Sequence, residues 1–170
     1  MLKIINDLEP FFQDNYKRIN VREYARLRKT TPPTASKLLA EIRKEGLIER
    51  EDEKNYIYYV ANKENPIFIH LSRLYWFMQF KEIGLIDYLE KELISPLIVL
   101  FGSFSKGEVK QESDIDLAVF SVSKKELNLE VFEKKIKHKI HLFTFKDKKD
   151  VANKDMLNNI HNGFVLTGGW

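Results

Sequence analysis

The stretch Ser95–Phe120, SPLIVLFGSFSKGEVKQESDIDLAVF, decides how the second half of the chain folds. Leu97-Ile98-Val99-Leu100-Phe101 is a continuous apolar run, β-branched in part and entered at Pro96, which is the pattern of a buried strand. Gly102-Ser103 interrupts it, and Phe104 to Gly107 reads as the first turn of a helix or as a loop. A helix beginning there offers free backbone N–H groups and a positive dipole end to an anion. Ser113-Asp114-Ile115-Asp116 leads into a second strand, continued by Leu117-Ala118-Val119-Phe120. Alternation puts Asp114 and Asp116 on one face of it, with Ile115 and Leu117 on the other. Two carboxylates at that spacing make a hard oxygen site suited to Mg²⁺.

An anion cradle beside a two-carboxylate metal site is the equipment for moving a nucleotidyl group. The order of features, an apolar strand, Gly102-Ser103, a spacer from Phe104 to Ser113, then Asp114-Ile115-Asp116-Leu117, resembles a known family. It is similar to the nucleotidyltransferase superfamily typified by DNA polymerase beta, and within it to the small domains called minimal nucleotidyltransferases. The resemblance runs from Leu85 to the C-terminus. It implies that Gly102, Ser103, Lys106 and Ser113 hold the phosphates of a nucleoside triphosphate, ATP foremost, while Asp114 and Asp116 bind Mg²⁺. The implied products are a nucleotidyl adduct and pyrophosphate, with a protein hydroxyl, an RNA end or a small molecule as the acceptor. Family members usually carry a third carboxylate on the next strand, and here His141 stands at the best-matching position. An imidazole there serves as a general base, but it is a poorer Mg²⁺ ligand than a carboxylate. The nearest acids, Asp147 and Asp150, follow that strand in a lysine-rich loop. A competing class stays open: a non-enzymatic regulator or antitoxin-like partner whose second domain senses a nucleotide.

Composition bounds the rest. A chain of 170 residues makes one medium domain or two small ones. With no cysteine there is no disulfide framework and no thiolate metal site. Met1-Leu2-Lys3 leads directly into polar sequence, so no signal peptide is visible. The most apolar stretch, Pro66 to Phe80, is broken by His70, Arg73 and Gln79 and is too short to span a bilayer. A cytoplasmic protein without a membrane partner is the expectation. The net charge of +3 is small, so nucleic-acid binding must come from local clustering.

Such a cluster lies near the N-terminus. Leu8 to Tyr16 reads as a short first helix with Phe11, Phe12 and Tyr16 inward. Asn20 stands three residues before Glu23, a capping-box spacing that starts a second helix at Val21. Thr31-Pro32 caps a third, whose Ala35, Leu38, Leu39 and Ile42 form the apolar stripe and which stops at Gly46. Leu47 to Arg50 and Tyr56 to Val60 read as two strands around a polar turn, Glu51 to Asn55. Helices followed by such a hairpin resemble the winged-helix family of DNA-binding domains over roughly the first sixty-five residues. From Lys17 to Lys44 nine cations face only Glu23 and Glu41, an excess of seven positive charges. Thr34, Ser36, Lys37, Arg43 and Lys44 fall on the outer face of the third helix, fitted to phosphates and base edges of DNA. Glu49, Glu51, Asp52 and Glu53 crowd the wing, which is expected to stay off the DNA. A protein–protein adaptor is the alternative use of this unit.

Between the two parts, Ile67 to Leu93 is helical in character, with Gly84 dividing a long helix from a short one. Ile67, Phe68, Leu71, Leu74, Tyr75, Met78 and Phe80 exceed one stripe, and Trp76 and Phe77 fill the other sides. That pattern predicts burial on several sides, in the core or in a homodimer formed through the 66–84 helix. Beyond the aspartates, Ser121 to Lys139 reads as a charged helix with Leu127, Leu129, Val131, Phe132 and Ile136 inward. Lys139 to Phe145 alternates as a third strand, and Asn153 to Leu166 supplies a last helix and a short segment. His138 and His141, at odd spacing on a strand, point to opposite faces and are not read as a metal pair. The expected fold is α+β: a winged helix over residues 1–65, a linker helix over 66–84, and a small mixed-sheet nucleotidyltransferase-like α/β domain over 85–170.

Overall fold

The computed structural model describes residues 3–123 and 125–170. Met1 and Leu2, on which the reading of the N-terminus rests, and Lys124, inside the expected charged helix, lie outside them. The described residues divide into two units. Met1–Tyr75 with Gly107–Gln111 form the first, and Trp76–Lys106 with Glu112–Trp170 form the second.

In the first unit, α1 spans Lys3–Gln13, starting before the expected Leu8 because Ile5 already belongs to its stripe. Ile5, Leu8, Phe11 and Phe12 recur at helical spacing and are all fully buried. α2 (Val21–Leu27) begins where Asn20 Oδ1 accepts the Glu23 N–H at 2.9 Å. α3 (Pro32–Lys44) starts with proline in its first turn, and Gly46 follows it at φ +70°. Two antiparallel strands complete the run, β1 (Ile48–Glu53) and β2 (Tyr56–Ala61). β1 extends through the acids that were expected to form the turn, leaving Lys54-Asn55 to make it. Counter-charges allow this extension. Arg18 pairs with Glu51 at 2.8 Å and with Glu53 at 2.7 Å, and Arg50 pairs with Asp52 at 2.7 Å. Ile19 forms a further bridge to Tyr59 on the hairpin.

Gly107–Gln111 is fastened into this unit by Asn15, which is 1% exposed. The Asn15 N–H donates to the Val109 carbonyl at 2.8 Å, and the Val109 N–H donates to Asn15 Oδ1 at 2.5 Å. Asn15 Nδ2 donates to the Phe11 carbonyl at 2.7 Å, so the whole amide is satisfied in the interior.

α4 (Pro66–Glu82) is one continuous helix, and the division between the units falls within it. Its early turns supply Phe68 and Tyr75, whose rings lie 5.2 and 5.3 Å from Phe12. Its later turns supply Trp76 and Phe80 to the second unit.

The second unit continues with α5 (Leu85–Glu92), β3 (Leu97–Phe101), α6 (Gly102–Lys106), β4 (Ile115–Phe120), α7 (Glu130–Ile136), β5 (Ile140–Phe145), α8 (Lys154–His161) and β6 (Phe164–Thr167). The sheet order is β5-β4-β3-β6, with β3 antiparallel to both neighbours and β4 parallel to β5. Every residue of β3 is buried, as its unbroken apolar run requires of a central strand covered on both faces. On one face Leu97, Val99, Phe101, Ala118 and Phe120 pack with Val151 and with Ile160 of α8.

The charged helix expected over Ser121–Lys139 is reduced to α7. The residues before it use side chains to hold their own backbone. Ser121 Oγ accepts the Ser123 N–H at 3.2 Å, and Asn128 Oδ1 accepts the Glu130 N–H at 3.1 Å. Local bonds of that kind compete with helix formation. Val131, expected inward, is exposed, while Phe132 packs against Tyr88 at 5.0 Å. The short segment at the end is strand β6, paired with β3.

Candidate active site

The site forms where β3 ends and β4 begins. Asp116 lies opposite Phe101 in the β3–β4 ladder and opposite His141 in the β4–β5 ladder. By strand alternation it shares a face with Ala118 and Phe120, so a carboxylate continues the stripe that lines the core. That placement explains its electrostatics. Burial pushes the Asp116 carboxyl above its ordinary range, His141 draws it back, and Asp114 pushes it further up.

Gly102 follows β3 at φ +69°, a left-handed conformation that favours glycine. A Cβ on it would stand 2.3 Å from Asp116 Oδ2. The glycine of the Gly-Ser pair is therefore required twice, by backbone conformation and by the carboxylate beside it. Ser103 is half-buried next to it, and Ser105 Oγ donates to the Gly102 carbonyl at 3.0 Å to tighten this short helix. Lys106 closes α6 in an exposed position, its Nζ 3.4 Å from Asn159 Oδ1.

Asp114 precedes the ladder and is held through its neighbours. His138 Nδ1 lies 2.7 Å from the Ser113 carbonyl, and the Ile115 N–H donates to the Lys139 carbonyl at 2.8 Å. His141 stands between the two acids, Nε2 3.8 Å from Asp114 Oδ2 and Nδ1 3.5 Å from Asp116 Oδ1. Side-chain exposure is 53% for His141, 44% for Asp114 and 27% for Asp116, so the cluster opens to solvent with Asp116 deepest.

Sequence reasoning expected Gly102, Ser103, Asp114, Asp116 and His141 to share one site. Gly102 lies against Asp116, and His141 lies within 4 Å of both Asp114 and Asp116, with Ser103 adjacent to Gly102 in the chain. Ser113 contributes a carbonyl that is already bonded to His138. Two groups escaped that reading. Glu133 accepts the Ile140 N–H at 2.9 Å and the Lys139 ammonium at 3.0 Å, fixing the start of β5. His138 carries no sequence signal beyond its position before the strand.

The donor chemistry fits Mg²⁺. The ion commonly takes one or two carboxylates and completes its shell with water and phosphate oxygens, and Asp114 with Asp116 supply that number. Among the described residues no three His, Asp or Glu side chains form a ready-made cation cage.

On the first unit, Thr34, Ser36, Lys37, Arg43 and Lys44 are all exposed along α3, whose Ala35, Leu39 and Ile42 are buried. Several of the counted cations have partners: Lys17 pairs with Glu23, Arg18 with the hairpin acids, and Arg28 with Glu9 at 2.8 Å. Arg22, Arg26 and Lys29, on and just after α2, are exposed as well, so the solvent-facing positive charge is shared between α2 and α3.

Residues 84–166 match the family described as Polymerase beta, Nucleotidyltransferase. The match covers just under half of the chain and contains the whole Gly-Ser and Asp-x-Asp arrangement. This part of the chain is thus similar to polymerase beta-type nucleotidyltransferase domains, a likeness that points to nucleotidyl transfer or a related function. No curated protein matches the chain. Among the described residues no helix is long and apolar enough to cross a membrane.

Proposed function

We propose that the nucleotidyltransferase domain binds a nucleoside triphosphate with Mg²⁺, ATP foremost, and transfers its nucleotidyl group to a hydroxyl acceptor. The observation that carries this reading is the recessed Asp116 carboxylate, with Gly102 leaving space on one side and Asp114 and His141 on the other. A desolvated carboxylate beside a second acid is costly for a fold and useful at a cation site. Gly102 and Ser103 cradle the phosphates, Lys106 adds charge, and Asp114 and Asp116 hold the metal. Held by Asp114 and Asp116, Mg²⁺ would supply positive charge to offset that developing at the α-phosphorus. His141 accepts the acceptor hydroxyl's proton at Nε2, while Asp116 orients the ring through Nδ1. The acceptor oxygen then bonds to the α-phosphorus as the bond to pyrophosphate breaks.

The first unit is read as a winged helix that binds DNA through α3, supported by the exposed Thr34, Ser36, Lys37, Arg43 and Lys44. A second reading, a nucleotide-sensing regulator without turnover, is favoured by His141, an imidazole rather than an acid, lying opposite Asp116 on the next strand. Calorimetric titration of each triphosphate with Mg²⁺, native protein against Asp114→Asn, tests the site. Metal-dependent binding that disappears in the variant supports it, and no binding by the native protein refutes it. Following labelled nucleotide into acceptors then separates the readings: transfer by the native protein but not by Asp116→Asn supports the enzyme, and binding without transfer supports the regulator.

A further inference from the structure

We propose that His138 is a positioning residue for the nucleotide site, fixing the backbone at Asp114 relative to the Gly102–Lys106 turn. The inference rests on the reading of that cluster as a nucleotide site. Asp114 lies outside the strand ladder, whose first β4–β5 pair is Ile115 with Ile140. Its position therefore depends on the peptide groups to either side. One is held by Ile115 N–H to the Lys139 carbonyl, the other by the Ser113 carbonyl to His138. A carbonyl only accepts, so Nδ1 of His138 carries the hydrogen and the tautomer is set by its partner.

The same ring reaches the other half of the site. His138 meets Phe104 edge-on, centroids 5.1 Å apart at 89°, and Trp76 at 5.6 Å and 86°. Phe104 and Trp76 also pack on each other at 4.7 Å. Phe104 is fully buried and lies two residues beyond Gly102 in α6. One imidazole thus ties the helix that follows β3 to the segment that opens β4. The chain before it turns sharply to allow this. Lys137 adopts φ +62°, a conformation unfavourable for a side chain with Cβ, and its N–H donates to the Glu133 carbonyl. Glu133 also fixes the residues after His138 through Ile140 and Lys139. A side chain wanted only for packing here needs no hydrogen at Nδ1, and phenylalanine serves as well.

Two substitutions of His138 in the full chain separate the roles. His138→Phe keeps a ring against Trp76 and Phe104 but loses the N–H. His138→Asn loses the ring, while its amide N–H stands near the place of Nδ1–H. If the ring fixes Asp114, Mg-ATP affinity by calorimetry stays within about threefold of native in the Asn variant and falls about tenfold in the Phe variant, the worth of one hydrogen bond. Thermal midpoints run the other way, with the Asn variant the less stable because its packing is lost. Affinity that falls in step with stability across the two variants overturns the proposal. Amide hydrogen exchange at Asp114–Asp116, measured without nucleotide, gives an independent readout. Faster exchange in His138→Phe than in His138→Asn supports the anchoring role even if native protein binds no nucleotide, a result that would remove the nucleotide reading alone. Exchange at native rates in His138→Phe overturns the anchoring role.

Discussion

Gly102→Ala tests the site at its narrowest point. Two costs act together. The backbone at φ +69° disfavours any residue with a Cβ, which costs about 1 kcal/mol. The new methyl would also stand 2.3 Å from Asp116 Oδ2, so the carboxylate must retreat by about 1 Å to reach ordinary contact distance. Turning that side chain off its rotamer adds about 1 kcal/mol. Gly84 supplies the control. It lies in the same unit at φ +81°, and a Cβ there meets nothing within 4 Å. Gly84→Ala therefore carries the backbone cost alone, about 1 kcal/mol, and Gly102→Ala about 2 kcal/mol. The functional difference is larger. On the proposed reading of Asp116 as a metal ligand, displacing its carboxylate by about 1 Å should weaken Mg-ATP binding or turnover by up to about a hundredfold, whereas Gly84→Ala should leave both at native values. Urea unfolding reads the stabilities, and calorimetry with Mg-ATP reads the site. Equal stability losses with native affinity in both variants would refute the claim that Gly102 exists to make room for Asp116.

Three other outcomes follow from the structure. Burial holds the Asp116 carboxyl above its unfolded range, so this group stabilises the fold at low pH and that contribution is lost as pH rises through its native pKa. Asp116→Asn should therefore be more stable than native protein near neutral pH and no more stable well below the ordinary carboxylate range, while losing Mg-ATP binding; urea midpoints against pH test the sign. Asn15→Ala removes the partners of two interior backbone groups and should destabilise the first unit by about 2 kcal/mol or more in chemical unfolding. For the DNA reading, the double variant Lys37→Ala/Arg43→Ala should bind duplex DNA more weakly and lower the slope of log K against log salt by about 2; an unchanged slope would remove α3 from the contact.

Legibility tracked how locally each feature is encoded. The strands β3 and β4 were readable because an unbroken apolar run and an alternating one are direct marks of burial. Gly102, Asp114 and Asp116 were readable for the same reason, since period-two spacing and a chain-breaking glycine act within a few residues. The helix start at Asn20 depended on side-chain capping and the one after Thr31 on proline in the first turn, both local marks. Features set by distant partners were missed. The length of β1 depends on Arg18, which reaches Glu51 and Glu53 from far back in the chain. The truncation of α7 was missed for another reason, because the local bonds at Ser121 and Asn128 override a charge and apolar spacing that favours helix. The attachment of Gly107–Gln111 in the first unit depends on Asn15, 94 residues away from Val109. No local pattern announces such a pairing.

The cluster's arrangement bears on why an imidazole stands at position 141. Asp114 and Asp116 repel each other when both are ionised, and burial worsens the cost for Asp116. A ring between them at 3.5 and 3.8 Å offers a proton to either acid, so the metal-free fold carries its own partial compensation. A carboxylate in that place would add a third negative charge to an already costly pair and would make the free protein depend more heavily on a bound cation. His141→Asp therefore separates fold from function. It should lower stability without metal, more as pH rises and negative charge accumulates, and much of the loss should return on adding Mg²⁺, because a cation binding only the folded state stabilises it by mass action. Unfolding of native protein and His141→Asp, each with and without Mg²⁺, measures this. A variant as stable as native protein without metal, or one that Mg²⁺ does not rescue, would show that the imidazole is not relieving the charge of the aspartate pair.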